Sequence, residues 1–221
     1  MGDDRERARS YFDRLAPEYD RAFREEGRGP LNALVNRLFR GRTFARRMRL
    51  LEALFGELGL AGKTVLDLGC GSGQVSLLAA SMGAKVHAID IAPRMLAIAR
   101  EAASRAGLAE RVRFEEGDVS ECPLLEADLV LLVGVIEYYR DFASLVRRAA
   151  GSTRGALVVA HTRRVLYRMA LRRLLFWLEG GSVYFHPMRD VVAAGEAAGL
   201  RLARELRERA FTVLVFVRGR A

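Results

Sequence analysis

Cysteine stands at only two positions, Cys70 and Cys122, with no CxxC pair and no histidine at metal spacing beside either. Neither a disulfide framework nor a metal site is expected, and both thiols read as reduced. Lysine is scarce for so basic a chain: it occurs only at Lys63 and Lys85, and the remainder of the 36 basic residues are arginine. No uninterrupted apolar run approaches the roughly 18 residues of a membrane-spanning helix, so no helical span is expected. The charged start, Met1 to Arg7, leads into no apolar signal core, which points to a cytoplasmic protein. No linker rich in proline, glycine or serine divides the chain, so residues 1–221 read as one domain. With 51% hydrophobic and 29% charged residues, that domain has ample material for a core. The net charge of +9 invites a polyanionic partner, but arginine-heavy usage explains it equally well, and charge alone assigns no partner.

From Lys63 onward short β-type runs alternate with helical stretches, the pattern of a parallel sheet wound with helices on both faces. Strands are expected over 64–68, 85–90, 112–115, 128–133 and 155–160, with helices near 74–82, 93–106 and 141–149 between them. Pro93 suits the first turn of its helix. A helix near 188–198 and two further strands, 201–208 and 211–217, follow. The last two have no crossover helix between them, so the final strand is expected to be antiparallel. The first sixty residues read as helices, 6–13 and 31–58 with a break near Gly41, that cap the 61–221 core.

The most informative stretch is Val65-Leu66-Asp67-Leu68-Gly69-Cys70-Gly71-Ser72-Gly73, an apolar strand ending in an acid and three alternate glycines. Glycine lets the backbone turn tightly and approach a ligand closely. A dinucleotide fingerprint needs a third glycine at position 74, which is Gln, and a P-loop needs Gly-Lys-Ser/Thr, whereas Gly73 is followed by Gln74 and Val75. Both readings fail. Asp90 ends the second strand, where a carboxylate can accept the hydroxyls of a ribose; the bland alternative is a cap for the next helix. Glu115-Glu116-Gly117-Asp118-Val119 follows the third strand, with a plain Asx turn as the competing account of Asp118.

Together these segments resemble the class I S-adenosylmethionine-dependent methyltransferases, over about residues 11–161. The resemblance implies an α/β, Rossmann-like, seven-stranded and mostly parallel sheet of order 3-2-1-4-5-7-6, with S-adenosylmethionine as cofactor. It places the methionine moiety on Asp67, Gly69, Gly71 and Gly73, the ribose on Asp90, and the adenine beside Ile91, Met95, Asp118 and Val119, with Gly134 at the end of the fourth strand. Tyr11-Phe12-Asp13-Arg14-Leu15-Ala16-Pro17-Glu18-Tyr19 resembles the opening segment of ubiquinone/menaquinone methyltransferases, in which Tyr11 and Tyr19 would close over the donor. An aromatic face beside a sulfonium is physically favourable, and simple packing is the alternative. Ile136-Glu137-Tyr138-Tyr139 and the insertion after the fifth strand are faintly similar to magnesium-protoporphyrin methyltransferases.

Residues 163–178 have Arg164, Arg168 and Arg172 on one helical face and Leu166, Met169, Leu174 and Trp177 on another. That amphipathic pattern suits a lid over a hydrophobic acceptor or a peripheral membrane contact, or ordinary packing with solvated arginines. His161, His186 and Tyr138 are candidate catalytic groups, both imidazoles being expected at the cleft; His87, in mid-strand, reads as structural. The expected activity is methyl transfer to a small hydrophobic metabolite, with oxygen favoured over nitrogen or carbon. Nucleic acid is disfavoured, because neither of the nucleic-acid motifs sought after the fourth strand is present. The rivals are an RNA methyltransferase and a non-catalytic cofactor-binding module. The sequence leaves the oligomeric state open.

Overall fold

A computed structural model describes residues 6, 9–14, 16, 42–162 and 183–219. After a short helical stretch at 9–14, the elements in chain order are α1 (Arg42–Leu58), β1 (Thr64–Leu68), α2 (Gln74–Ser81), β2 (Lys85–Asp90), α3 (Pro93–Arg105), β3 (Val112–Glu116), β4 (Ala127–Val133), α4 (Phe142–Gly151), β5 (Thr153–Thr162), α5 (Met188–Ala197), β6 (Leu200–Arg207) and β7 (Phe211–Arg218). One sheet runs β3-β2-β1-β4-β5-β7-β6. The first five strands are parallel, and β7 lies antiparallel between β5 and β6. The order and the reversed last strand are those expected.

The central strands are nearly all apolar because helices cover both of their faces. Along β4, Leu129 and Leu131 enter one core while Val130 and Leu132 enter the other; β5 and β7 alternate in the same way, through Val158 against Val159 and Val215 against Leu214. Helices α1 and α2 cover the first face with Leu51, Leu54, Phe55, Val75 and Ala79, and α4 and α5 the second with Leu145, Val146 and Val191. The expectation that the helices before Lys63 cap the sheet understates α1. Phe55 is wholly buried, and truncating such a side chain to alanine costs about 3–5 kcal/mol.

Most boundaries fall within one or two residues of expectation. β5 extends two residues beyond 155–160 at each end, and at its C-terminal end the ladder with β7 continues to His161–Thr212 and Thr162–Phe211. Asp141 is the N-cap of α4, its Oδ1 accepting the Ser144 N–H at 3.0 Å. Residues 31–41, the expected lid at 163–178 and Tyr19 lie outside the described residues. Among the described residues no helix is long and apolar enough to cross a membrane.

Candidate functional site

The turn after β1 is shaped by its glycines. Gly69 and Gly73 have φ of 74° and 78°, a region that costs other residues about 1–2 kcal/mol. A Cβ at Gly69 would lie 2.4 Å from a Val135 methyl, and one at Gly73 would lie 2.8 Å from the Ala99 Cβ. These two glycines are thus fixed by protein packing. At Gly71, with φ of 54°, a Cβ would meet nothing within 4 Å. The middle of the loop therefore borders open space, into which a ligand can come close to the backbone.

Asp67 and Asp90 stand behind and beside this loop. Asp67 is buried and its Oδ2 accepts the Ser76 hydroxyl at 2.6 Å; burial pushes its carboxyl up to about 6. Asp90 accepts the Gly71 N–H at 2.7 Å on Oδ2 and the Ala92 N–H at 2.9 Å on Oδ1. Burial raises its carboxyl too, against the lowering effect of those bonds. Ala92, rather than Asp90, is the N-cap of α3, so the acid belongs to the loop and not to the helix start. Asp118 does make the Asx turn: Oδ1 accepts the Ser120 N–H at 2.8 Å and its hydroxyl at 2.7 Å. The same oxygen accepts the Tyr139 hydroxyl at 3.2 Å, which ties the end of β3 to the segment after β4.

Two further bonds position this rim, and neither was expected from the sequence. Arg148 of α4 donates from Nε to the Val119 carbonyl at 3.2 Å and from Nη2 to that of Cys122 at 2.5 Å. The 118–122 turn is thereby braced from the second face. Val119 is itself buried in that core.

The N-terminal segment crosses the same rim. Asp13 Oδ1 accepts the Arg94 N–H at 3.1 Å, and Arg9 pairs with Glu116 at 2.8 Å. Ala16 and Phe12 pack with Ala92, Met95 and Ile98, while Tyr11 is buried against Val183, Phe185 and Tyr138. The Phe12 ring meets Tyr138 edge to face, 4.9 Å between centroids. Ile91 remains partly exposed beside Asp90.

On the other side of the switch point the histidines differ from expectation. His161, 3% exposed, donates from Nε2 to the His186 carbonyl at 2.8 Å. His186, 9% exposed, donates from Nε2 to the carbonyls of Ile136 and Tyr139 at 3.2 and 3.0 Å, and burial lowers its pKa. All three acceptors are carbonyls, so the Nε2 proton is fixed on each ring. His161 Nδ1 lies 3.8 Å from Oε1 of Glu137, a carboxylate only 1% exposed. Each imidazole therefore ties β5, residues 183–187 and the turn after β4 together, rather than presenting a free Nε2 to the cleft. At that turn Gly134, with φ of 72°, faces α1: a Cβ there would lie 3.2 Å from Arg47 Nη1. Among the described residues no three acidic, His or Cys side chains are grouped to hold a metal.

The strand order, the antiparallel β7, the open glycine turn after β1 and the acid ending β2 define a Rossmann-like sheet of the methyltransferase type. Comparison with known proteins agrees. Residues 65–154 match the family described as "Methyltransferase domain", and this stretch of the chain is a methyltransferase domain. The chain is 32% identical over 158 residues to a ubiquinone biosynthesis O-methyltransferase of Methylobacterium sp. (strain 4-46), covering 67% of this chain and 64% of that protein. It is 31% identical over 123 residues to a magnesium-protoporphyrin O-methyltransferase of Rhodobacter capsulatus, covering 55% of this chain and 52% of that one. The chain thus spans less than two thirds of the length of either relative. Among solved structures, the magnesium protoporphyrin IX methyltransferase of Synechocystis PCC 6803 with bound SAH shares the fold at a TM-score of 0.77 and 24% identity, covering 98% of this chain and 100% of that one.

Proposed function

We propose that the chain binds S-adenosylmethionine across the C-terminal ends of β1, β2 and β3 and methylates an oxygen of a small, largely apolar metabolite. When bound, the donor supplies an electrophilic methyl on a sulfonium, which an acceptor oxygen displaces in line. The protein's part is positioning, which accounts for much of the barrier reduction in such reactions. Gly71 gives the donor close access to the backbone, Asp67 attracts its amino group, Asp90 takes the ribose hydroxyls, and Asp118 with Ile91, Met95 and Val119 frames the adenine. Tyr11 and Tyr138 offer aromatic faces toward the sulfonium and help exclude water.

The observation that carries this reading is the bond from the Gly71 N–H to Asp90, which joins the acid of β2 to the one open glycine of the turn. Oxygen as the acceptor atom is supported by the relatives, both named as O-methyltransferases. In calorimetry with S-adenosylhomocysteine, Asp90→Ala is expected to weaken binding about ten- to a hundredfold, the scale of hydrogen bonds to a charged group. Unchanged affinity in a folded variant places the ribose elsewhere and overturns the reading.

A further inference from the structure

We propose that the second face of the sheet, at the N-terminal ends of β1, β2 and β3, docks a second copy of this chain, the exposed Leu125 of each copy entering a cleft on the other.

Among the crossovers that join the parallel strands, those from β1 to β2, β2 to β3 and β4 to β5 carry the helices α2, α3 and α4. The connection from β3 to β4, residues 117–126, has none. Helices α4 and α5 pack on β4, β5 and β6, so among the described residues no helix covers the second face of β1, β2 and β3. Cys122 and Leu124 of the helix-free connection pack against the core that holds Leu68 and Ile89, toward the C-terminal ends of these strands. Toward the N-terminal ends, alternation and register put Thr64, Leu66, Lys85, His87 and Arg113 on this face.

A cleft of about 260 Å³ opens there, with Leu66 and Ala127 in its lining. Leu125 also borders it and is 57% exposed, the one large apolar side chain so exposed among the described residues. A cavity of about 150 Å³ already accepts a ring the size of benzene, so the cleft has room for a leucine side chain. A leucine beside a hole that fits a leucine is self-complementary about a two-fold axis, each copy giving one knob and taking one.

Charge points the same way. Lys85, Arg111, Glu110 and Glu126 stand exposed around the cleft, and none of the four is in an ion pair among the described residues. Arg113 is already met by Glu115 at 3.1 Å. The rim is therefore balanced, on a chain whose net charge is +9. A polyanion would be drawn to the arginine excess elsewhere. A balanced rim fits a copy of itself, turned so that the acids of one meet the bases of the other.

Sedimentation of the full chain at about 100 μM, a concentration suited to a small interface, is expected to show a dimer. Leu125→Asp should weaken self-association at least about tenfold, with the urea midpoint near that of the wild type because the side chain is exposed in the single copy. If Leu125→Asp does not fold, Leu125→Gln takes its place. Two charge swaps test the orientation. One variant combines Glu110→Arg with Glu126→Arg, the other Lys85→Glu with Arg111→Glu. Each alone should be monomeric, and an equimolar mixture of the two should restore the dimer. A monomeric wild type at that concentration leaves this face to another protein or to water and overturns the proposal. So does a dimer that Leu125→Asp leaves intact, or a mixture that stays monomeric.

Discussion

Between Val65 and Asp118 the polar groups assigned to the cleft come from strand ends and the turns just after them. Between Gly134 and His186 they are held by partners far away in the chain: His161 by a carbonyl 25 residues on, and His186 by one 50 residues back. The first region leaves room around its backbone at Gly71, while the second uses its imidazoles to close itself. A donor shared by many reactions can be met by a short, repeated turn. An acceptor must be met by surfaces that converge from separate elements, and those must first be fixed to one another.

Breaking the first region should have the largest effect. Gly69→Ala combines a left-handed backbone with a Cβ 2.4 Å from Val135, and is expected to cost about 3 kcal/mol in urea denaturation. A loss near zero would mean that the turn yields and is not pinned by β4. In the second region His186→Leu removes the donor to two carbonyls and is expected to cost about 2 kcal/mol. S-adenosylhomocysteine affinity should remain within about twofold; a parallel loss of affinity would erase the division between the two regions.

The smallest effect sharpens the contrast through Asp67. Its carboxyl is raised to about 6, so its contribution to stability is complete below the unfolded value near 3.8 and is lost as pH rises through 6. A donor amino group beside it favours the ionised form. Binding near pH 6 should then release a fraction of a proton, and binding at pH 8 should release none. Calorimetry in two buffers of different ionisation heat measures this, and Asp67→Asn should abolish it. Equal heats in both buffers at pH 6 would show that Asp67 does not sense the donor.

This division also explains what the sequence disclosed. Asp67, the three glycines and Asp90 lie within a single strand–helix–strand unit, so spacing alone brings them together, and Gln74 was enough to exclude a dinucleotide site. Sheet order came through family resemblance, and the antiparallel β7 through the missing crossover helix. Hidden were the pairings that only tertiary packing creates: Arg148 on the carbonyls of Val119 and Cys122, and Arg47 beside Gly134. One arginine among so many carries no local mark of its neighbour. The histidines were located correctly at the end of β5 and ahead of α5, but hydrogen-bond direction cannot be read from position, and their Nε2 atoms proved committed to carbonyls. Ser76 was within reach, since the first turns of α2 return beneath the strand that carries Asp67.

The two outer strands of the sheet bear on how the molecule behaves in a crowded solution. Arg201, Arg204 and Arg207 stand exposed along β6, and Arg113 and Glu116 along β3. A foreign strand that docked on either edge would have to strip water from these charges before its first backbone hydrogen bond formed. The arginines that say little about a partner thus raise the cost of extending the sheet from one molecule into the next.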